Sequence, residues 1–369
     1  MNKRIFLSAP HQSGKEAEYF NEVLKSNYIA PIGEYLDRFE DDIEKYTGTK
    51  NALGVMNGTA AIHLALIVLG IKRGDDVLAS TFTFIGSVNA IVYQGANPIF
   101  IDSDKESWNL SPKLLNKYLC ECEKKPKALI VTHLYGQCAD IEKIAQICKL
   151  HGVYLIEDAA ESLGATYKGK HTGTFGDFGI YSFNGNKILT TGGAGMLISD
   201  NEAWIKKAKF YSTQSKEDEI YYQHEEIGYN YRLSNPTAAI GVAQMEVIEE
   251  RVSKKREIFE WYKKYLGDVE EITFMPELES SRGNRWLTAI TFEKTPYMKI
   301  LKALENINVE SRPLWKPMHM QPVFKDAKAI VDGTSEELFN KGLCLASSTI
   351  MTEDDVKMIC DVIKGNLDG

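Results

Sequence analysis

One lysine stands in a stretch of the chain that contains almost no other charge. Lys187 lies within residues 181–196, where glycines, hydroxyl residues and apolar residues predominate. Loss of water around an ammonium favours the neutral amine, and a neutral lysine amine can form a Schiff base with a carbonyl compound. An ordinary solvated surface lysine is the alternative. The glycines at 192–195 are too irregularly spaced to indicate a nucleotide-binding loop.

A second candidate is a pair of carboxylates at the end of an apolar run. Residues 155–161 are Leu-Ile-Glu-Asp-Ala-Ala-Glu. A carboxylate at the carboxyl end of a strand points into the ligand crevice, whereas one buried in mid-strand costs several kcal/mol unless it is paired. Asp158 and Glu161 are therefore candidate site residues, although a lone acidic strand end is more often a magnesium ligand or a helix cap.

The third candidate is a turn between a short apolar run and a helix-like stretch. Asn57, Gly58 and Thr59 follow the apolar residues 52–56 and precede residues 62–69. A glycine and a hydroxyl at such a turn expose backbone N–H groups at the positive end of a helix, which binds phosphate readily. A simple helix cap explains the same residues equally well.

The three candidates together are more specific than any one of them. Enzymes that use pyridoxal 5′-phosphate (PLP) need a phosphate cradle, a carboxylate on the pyridine nitrogen and a lysine on the aldehyde. The neutral amine of that lysine can then move the proton between the substrate's α-carbon and the cofactor. The sequence therefore predicts a PLP enzyme in which Lys187 and Asp158 are the catalytic residues.

An α/β core must position these residues. Between residues 51 and 199, short apolar runs alternate with helix-like stretches, a pattern typical of a largely parallel sheet. Ligands of such sheets bind beyond the carboxyl ends of the strands. We predict strands at residues 77–80, 98–102, 128–133, 153–157, 179–182 and 196–199, and helices at residues 114–123 and 141–151, the second ending at Gly152.

The rest of the chain predicts a second, smaller unit. Residues 237–266 have apolar positions at helical spacing and indicate one long helix that leaves the core. The segment beyond it, with apolar runs at 287–292 and 343–345, is typical of a small α+β domain. We therefore expect a large PLP-binding α/β domain over residues 1–245 and a small C-terminal α+β domain over residues 246–369.

Composition narrows the class of protein further. The 369 residues are 44% hydrophobic and 25% charged, which is usual for globular proteins, and carry a formal net charge of -8. This charge argues against nucleic-acid and anionic-membrane binding, so an anionic ligand would need a local basic pocket. The sequence shows neither a membrane span nor a signal-peptide core, and its six cysteines form no C-x-x-C pair. We expect a cytoplasmic protein without a metal site or disulfides.

At this point the residues resemble the sugar aminotransferases of the DegT/DnrJ/EryC1/StrS group over nearly the whole chain. The resemblance implies the aspartate-aminotransferase fold, PLP fold type I. It implies Lys187 as the Schiff-base lysine and Asp158 as the partner of the pyridine nitrogen. The matching positions include Phe39 and Glu40, residues 57–61, 81–84, 157–161, 182–187 and 228–234, and His319.

The resemblance also implies further cofactor contacts and a partner subunit. Glu161 occupies the position that often lies near the cofactor's 3′-oxygen, and Asn230 would reach the phosphate from a second subunit, so that a homodimer shares its active sites. Because Lys187 is retained, the chain does not match the members that carry histidine there and catalyse dehydration. Phe84 would stack on the cofactor ring, unless it is an ordinary core aromatic, and Gly58, Thr59 and Ser182 would hold the phosphate.

Within the group, residues 26–31, 132–136, 181–187 and 312–319 look most like enzymes of the bacillosamine pathway. This implies transfer of the amino group of L-glutamate to C4 of UDP-4-keto-6-deoxy-N-acetylglucosamine, with the cofactor alternating between PLP and pyridoxamine phosphate (PMP). Arg312, Lys316 and His319 would form the basic pocket for the diphosphate, unless they lie in a solvated loop.

Three alternatives remain open. The same chemistry could act on a GDP-linked or TDP-linked keto sugar. The chain could also be a non-catalytic PLP-binding relative that regulates a partner. A nicotinamide-binding α/β protein is the least supported, because no G-x-G-x-x-G follows the early strands.

Overall fold

Two β-sheets of different size and a small three-stranded sheet organise the chain. The computed structural model describes residues 4–368. Its strands are β1 Asn51–Val55, β2 Asp76–Ser80, β3 Asn97–Ile101, β4 Ala128–Thr132, β5 Tyr154–Asp158, β6 Thr166–Tyr167, β7 Lys170–His171, β8 Phe178–Ser182, β9 Gly195–Ser199, β10 Ile272–Phe274, β11 Ser281–Arg282, β12 Thr288–Phe292, β13 Arg312–Pro313, β14 Lys328–Ile330 and β15 Gly342–Leu345.

Helices cover the sheets, and within residues 4–368 none is both long and apolar enough to cross a lipid bilayer. Short 3-10 turns occur at Leu134–Gly136, Met318–Met320 and Pro322–Phe324. The α-helices are α1 Glu16–Ser26, α2 Glu34–Thr47, α3 Gly58–Val68, α4 Gly86–Tyr93, α5 Pro112–Glu121, α6 Ile141–His151, α7 Glu202–Ser212, α8 Asn235–Met245, α9 Ile248–Leu266, α10 Tyr297–Asn306, α11 Thr334–Lys341 and α12 Glu353–Lys364.

The large sheet has the strand order β1-β9-β8-β5-β4-β2-β3-β14. The six strands from β14 to β8 pair in parallel. Strand β9 is antiparallel to both of its neighbours, β8 and β1. The predicted α/β fold with a largely parallel sheet is confirmed, and each predicted strand lies within one residue of an observed one. Because β1, β2, β4, β5 and β8 point the same way, their carboxyl ends meet along one edge.

Both faces of the large sheet are buried, which explains why its strands are continuous apolar runs rather than alternating ones. Helices α3, α4 and α7 contribute to the apolar cluster on one face. Helices α5 and α6 pack in a separate cluster on the other. The predicted helix at residues 141–151 is confirmed at both ends, and Gly152 closes it with a left-handed φ of 67°.

The single long helix predicted for residues 237–266 is wrong. The chain forms α8 and α9 with a break between them, where Val247 has a φ of -118° outside the helical range. Helix α8 is buried beside α1 and α2, whereas α9 packs on α12 in the smaller unit. Apolar positions on both sides of the break keep helical spacing, and neither proline nor glycine marks it, so periodicity alone could not locate it.

The smaller unit is an antiparallel sheet in the order β10-β12-β15-β13, packed against α9, α10 and α12. Segments cross between it and the large sheet in both directions. Strand β14 pairs with β3, and Ile5 near the N-terminus bridges to Val309. The division at residue 245 stays a prediction, because these pairings join segments from its two sides.

Candidate active site

A cavity of about 310 Å³ lies at the edge where the parallel strands end. Its walls come mainly from residues at and just beyond the carboxyl ends of β1, β2, β4, β5 and β8, as expected for ligand sites of such sheets. Seven of the residues predicted from the sequence line it. These are Gly58, Thr59, Phe84, Asp158, Glu161, Ser182 and Lys187.

One end of the cavity is the start of helix α3. The Asn57 side chain caps the helix by accepting a hydrogen bond from the Ala60 N–H at 2.8 Å. The preceding N–H groups, of Gly58 and Thr59, belong to the first turn and have no acceptor within the helix. Ser182 ends β8 next to them: a Cβ on Gly58 would lie 3.5 Å from the Cβ of Ser182. This end offers amide and hydroxyl donors at a helix N-terminus, the donor set of a phosphate site.

A second functional group in the cavity is the buried carboxylate of Asp158, the last residue of β5. Its Oδ2 accepts a hydrogen bond from Ser87 Oγ at 2.5 Å, and its Oδ1 accepts one from the Ala160 N–H at 3.1 Å. The Ser87 hydroxyl is itself 2.9 Å from Thr83 Oγ1, which is 2.8 Å from Thr132 Oγ1. A row of three hydroxyls from two chain segments thus fixes the carboxylate in one orientation.

Lys187 reaches the cavity from the turn after β8, and its side chain is 12% exposed. The window around it is nearly free of charge in the sequence, but the fold supplies a charge from elsewhere. Its Nζ lies 3.6 Å from Glu161 Oε1 and 4.2 Å from the centre of the Trp286 ring. The amine is therefore enclosed by one carboxylate and one aromatic face, with little access to water.

The Glu161 side chain is buried, and its second carboxylate oxygen faces the backbone of Tyr135. Its Oε2 accepts a hydrogen bond from the Tyr135 N–H at 2.7 Å. Burial raises the pKa of Glu161, and the nearby Lys187 partly opposes this. Tyr135 has a left-handed φ of 53°, a strained conformation for a bulky residue. The Tyr135 hydroxyl accepts a hydrogen bond from the backbone N–H of Trp315 at 2.8 Å, which helps to hold Tyr135 in this conformation.

Aromatic side chains form the mouth of the cavity. The rings of Phe84 and Trp315 have their centres 5.4 Å apart at an angle of 49°. Phe84 is 52% exposed, so it is not an ordinary core residue in the single chain. Its position beside the opening suits a ring that covers a flat ligand, because aromatic faces pack well on such surfaces.

Four residues predicted for the site lie away from this cavity in the single chain. Asn230 is exposed. Arg312 is exposed in β13 and pairs with Glu310 at 2.7 Å. Lys316 is half-buried, and both ring nitrogens of His319 are engaged, by Thr81 Oγ1 at 2.6 Å and Glu336 Oε1 at 3.0 Å. The roles given to these four residues stay predictions.

Sequence reasoning missed three residues that shape the cavity. Ser87 lies in the first turn of α4, and nothing in its neighbourhood marks it as a partner of Asp158. Trp286 comes from a segment far along the chain, without a motif. Trp315 stands inside the stretch 312–319 that carried the family resemblance, but the sequence indicated other side chains of that stretch.

The residues present fit PLP. Amide and hydroxyl donors suit its phosphate, a buried carboxylate suits a protonated pyridine nitrogen, and an enclosed lysine amine suits its aldehyde. The cavity lies in the position at which open α/β sheets bind ligands. The geometry is therefore that of a PLP-dependent enzyme whose active site lies on a largely parallel α/β sheet.

Comparisons with known proteins agree with this class. The model of the DegT/DnrJ/EryC1/StrS aminotransferase family matches residues 10–364. The chain belongs to this family of PLP-dependent sugar aminotransferases, and its cofactor is pyridoxal phosphate.

Three relatives illustrate the similarity. EpsN of Bacillus subtilis, described as a candidate pyridoxal phosphate-dependent aminotransferase, is 48% identical over 98% of this chain and 96% of its own. GDP-perosamine synthase of Escherichia coli O157:H7 is 37% identical over 98% of both chains. The crystal structure of a DegT DnrJ EryC1 StrS aminotransferase from Brucella abortus superposes with a TM-score of 0.89 at 25% identity over 95% of both chains.

Proposed function

We propose that this enzyme transfers the amino group of L-glutamate to C4 of UDP-4-keto-6-deoxy-N-acetylglucosamine, a step of glycan biosynthesis. The observation that carries the reaction type is the single cavity that holds Lys187, Asp158 and the helix start at Gly58 together. The choice of sugar rests on the sequence resemblance at residues 26–31, 132–136, 181–187 and 312–319.

PLP, when bound, withdraws electrons from the carbon that carries the amino group and stores that group between the two half-reactions. The chain's own residues do the rest. The Gly58 and Thr59 N–H groups and the Ser182 hydroxyl bind the phosphate. The Asp158 carboxylate accepts the hydrogen bond of the pyridine N–H and keeps that nitrogen protonated.

Lys187 has two tasks in this proposal. Its amine would hold the cofactor at the aldehyde and, when free, would carry the proton to or from the reacting carbon. The Trp286 ring and the low exposure of Lys187 exclude water from that transfer. Both half-reactions use the Lys187 amine in the same pocket. We therefore expect ping-pong kinetics, in which 2-oxoglutarate leaves before the keto sugar binds.

The cavity volume indicates how the sugar nucleotide binds. About 310 Å³ is at the lower end for small-molecule sites, so the cofactor and the reacting sugar carbon fill it. We therefore propose that the nucleotide lies beyond the mouth formed by Phe84 and Trp315. We propose that Arg312, Lys316 and His319 contact its diphosphate there.

We further propose a homodimer in which Asn230 completes the phosphate site of the partner subunit. Asn230 is exposed and adjoins two other exposed features. The Met56 N–H donates to the neighbouring Tyr231 carbonyl, and Met56 is 46% exposed. Tyr93 is 58% exposed and its ring packs on the ring of His63. The His63 ring also packs on Tyr229, the residue before Asn230. Exposed apolar groups around a polar residue are typical of an interface.

A cytoplasmic location is part of the proposal. All six cysteines, at positions 120, 122, 138, 148, 344 and 360, are free. Free thiols without disulfides are usual for proteins of reducing compartments.

A second acceptor has support of its own. The 37% identity to GDP-perosamine synthase extends over 98% of both chains, and that relative's name specifies a GDP-linked sugar. The rival proposal is therefore the same chemistry on a GDP-linked 4-keto sugar. One difference between the two proposals is the nucleotide base, which would bind beyond the cavity mouth.

The test is an absorbance spectrum of the purified holoenzyme, recorded before and after L-glutamate and then after one keto sugar. We expect the band of lysine-bound cofactor to bleach with glutamate and to return with the UDP-linked sugar. Return with the GDP-linked sugar alone would select the rival substrate. Failure of the band to bleach would overturn the aminotransferase assignment.

Two variants serve as controls in that experiment. Lys187→Ala should lose the band because the covalent attachment is gone. Lys206→Ala removes an exposed lysine that pairs with Glu202 on the surface of α7, and its spectra should match those of the unchanged protein.

A further inference from the structure

Lys255 is a buried cation that the proposed reaction does not use. It lies on α9, and only 2% of the residue is exposed. Its Nζ is 3.0 Å from Ser8 Oγ, 3.0 Å from the Trp286 carbonyl and 2.6 Å from the Ser347 carbonyl. An ammonium has three N–H donors, and each of them meets a neutral oxygen. Burial lowers the pKa of Lys255 to about 7.

Its partners come from three separate parts of the chain. Ser8 belongs to the N-terminal segment, Trp286 precedes β12, and Ser347 follows β15. The backbone between them is also tied together, because the Ser347 N–H donates to the Leu7 carbonyl at 2.7 Å. Keeping a cation without a carboxylate partner inside a protein is costly, so the site it occupies calls for an explanation beyond packing.

Two of the three partners lead directly to Lys187. Ser8 Oγ donates to the carbonyl of Asn186 at 2.8 Å, and Trp286 Nε1 donates to the same carbonyl at 2.7 Å. Asn186 is the residue before Lys187. The Trp286 ring also lies 4.2 Å from the Lys187 amine. Through Ser8 and Trp286, Lys255 is thus linked both to the peptide group that precedes Lys187 and to the aromatic residue against which the Lys187 amine rests.

We propose that Lys255 is a positioning residue that acts through Ser8 and Trp286 to aim the Lys187 amine at the cofactor's aldehyde. This inference rests on the proposed role of Lys187. The long, flexible lysine side chain gains direction when its backbone and its aromatic contact are fixed by a second layer of hydrogen bonds. Without Lys255, the Asn186 carbonyl and the Trp286 ring lose their common anchor.

The experiment compares two forms of the cofactor on the apoenzyme. PLP is bound through its phosphate and ring and also by a covalent bond, which forms between the Lys187 amine and the aldehyde with release of one water. PMP carries an amine in place of the aldehyde and makes the same phosphate and ring contacts without that bond. The ratio of the two affinities therefore isolates the contribution of the lysine.

Lys255→Met should lower the affinity for PLP about tenfold relative to that for PMP, since a misdirected amine forms the covalent bond poorly. Ser8→Ala, which removes only the link from Lys255 to Asn186, should shift the ratio in the same direction by about threefold. This second variant keeps the test decisive if Lys255→Met does not fold.

Arg251→Met is the matched control. Arg251 lies one turn earlier on α9, is also buried, and binds the N-terminal segment through the Gln12 carbonyl at 3.0 Å, but it does not contact Asn186 or Trp286 in the described structure. Its affinity ratio should stay unchanged. Equal losses of PLP and PMP affinity in Lys255→Met, or an equal shift of the ratio in Arg251→Met, would overturn the positioning role.

Lys187→Ala separates this inference from the proposed function. That variant should bind PLP no better than PMP. If it retained the preference for PLP, the assignment of Lys187 would fail. If it lost the preference while Lys255→Met and Ser8→Ala kept theirs, only the role of Lys255 would fail.

Discussion

Ser87 gives the Asp158 carboxylate a hydrogen-bond donor from within the chain. The 2.5 Å contact between Ser87 Oγ and Asp158 Oδ2 orients the carboxylate that is to face the pyridine nitrogen. A hydrogen bond to a charged group contributes about 1.5–3 kcal/mol. Ser87 is therefore a positioning residue for the carboxylate.

We expect Ser87→Ala to lower kcat about tenfold, because a carboxylate free to rotate holds the pyridine N–H less well. Steady-state kinetics with glutamate and the keto sugar measure this. Ser199→Ala is the control, since the Ser199 hydroxyl is also buried but donates to the Asp177 carbonyl outside the cavity. Equal kcat values for the two variants would contradict the role of Ser87.

At this scale, the sequence reveals the reactive residues better than their neighbours. Lys187 and Asp158 are predictable because an uncharged window and an acidic strand end are local patterns. Glu161 was a candidate from the same acidic strand end, but its contact with the lysine amine, like that of Trp286, arises only through folding. No local pattern could predict that the apparently isolated lysine has a carboxylate 3.6 Å away.

The start of α3 depends on a close approach by β9. A Cβ on residue 195 would lie 2.5 Å from the Asn57 carbonyl carbon and 2.6 Å from the Gly58 nitrogen. Only glycine therefore allows the first turn of α3 to sit against the strand. The glycines at 192–195 do not form a nucleotide loop, but the last of them supports the predicted phosphate turn.

Gly195→Ala should push the first turn of α3 out of position and weaken PLP binding about tenfold, within the usual cost of overpacking. Equilibrium binding of PLP to the apoprotein gives the affinity. Gly193→Ala provides the comparison, because a Cβ there would meet nothing within 4 Å. If both alanines bind PLP equally well, the contact with β9 does not shape the phosphate site.

Helix α9 carries a pH-dependent cost of folding through Lys255. Burial lowers its pKa to about 7, whereas an unfolded lysine titrates near about 10.4. Between these values the unfolded chain binds more protons, so the free energy of unfolding rises with pH. The cost is complete below about pH 7 and vanishes above about pH 10.4.

The free energy of unfolding of the unchanged apoprotein, minus that of Lys255→Met, should rise from pH 7 to pH 9 by up to about 1.4 kcal/mol per pH unit. Urea denaturation at several pH values measures the difference. In Arg251→Met the same difference should stay flat, since arginine does not lose its proton in this range. A flat profile for Lys255→Met would mean that Lys255 keeps its ordinary pKa.

The elements themselves were largely predictable. Parallel strands buried on both faces appear as short apolar runs, and Gly152 marks a helix end by its left-handed φ. The break between α8 and α9 was not predictable, because tertiary packing redirects the chain at Val247 without any change in the apolar spacing. The exchange of segments between the two units, such as β14 beside β3, also depends on contacts distant in sequence.

At the scale of the whole molecule, the question is whether one chain suffices for an active site. The cavity of the single chain contains Lys187, Asp158 and the start of α3, whereas Asn230 is exposed and lies outside it. In a two-fold dimer, each subunit can supply to its partner a residue that it does not use itself. In a mixed dimer, a Lys187 defect in one subunit and an Asn230 defect in the other would then fall in the same site and leave the second site intact.

Complementation tests this arrangement. Lys187→Ala is expected to be inactive and Asn230→Ala to retain PLP poorly, while each variant still folds. Coexpression of the two should restore activity to about a quarter of the unchanged level, because half the dimers are mixed and one of their two sites is intact. Lys187→Ala with Asp158→Asn should restore none, since those residues lie in the same cavity. Without recovery in the first pair, Asn230 serves its own chain or no site at all, and the shared active site would be wrong.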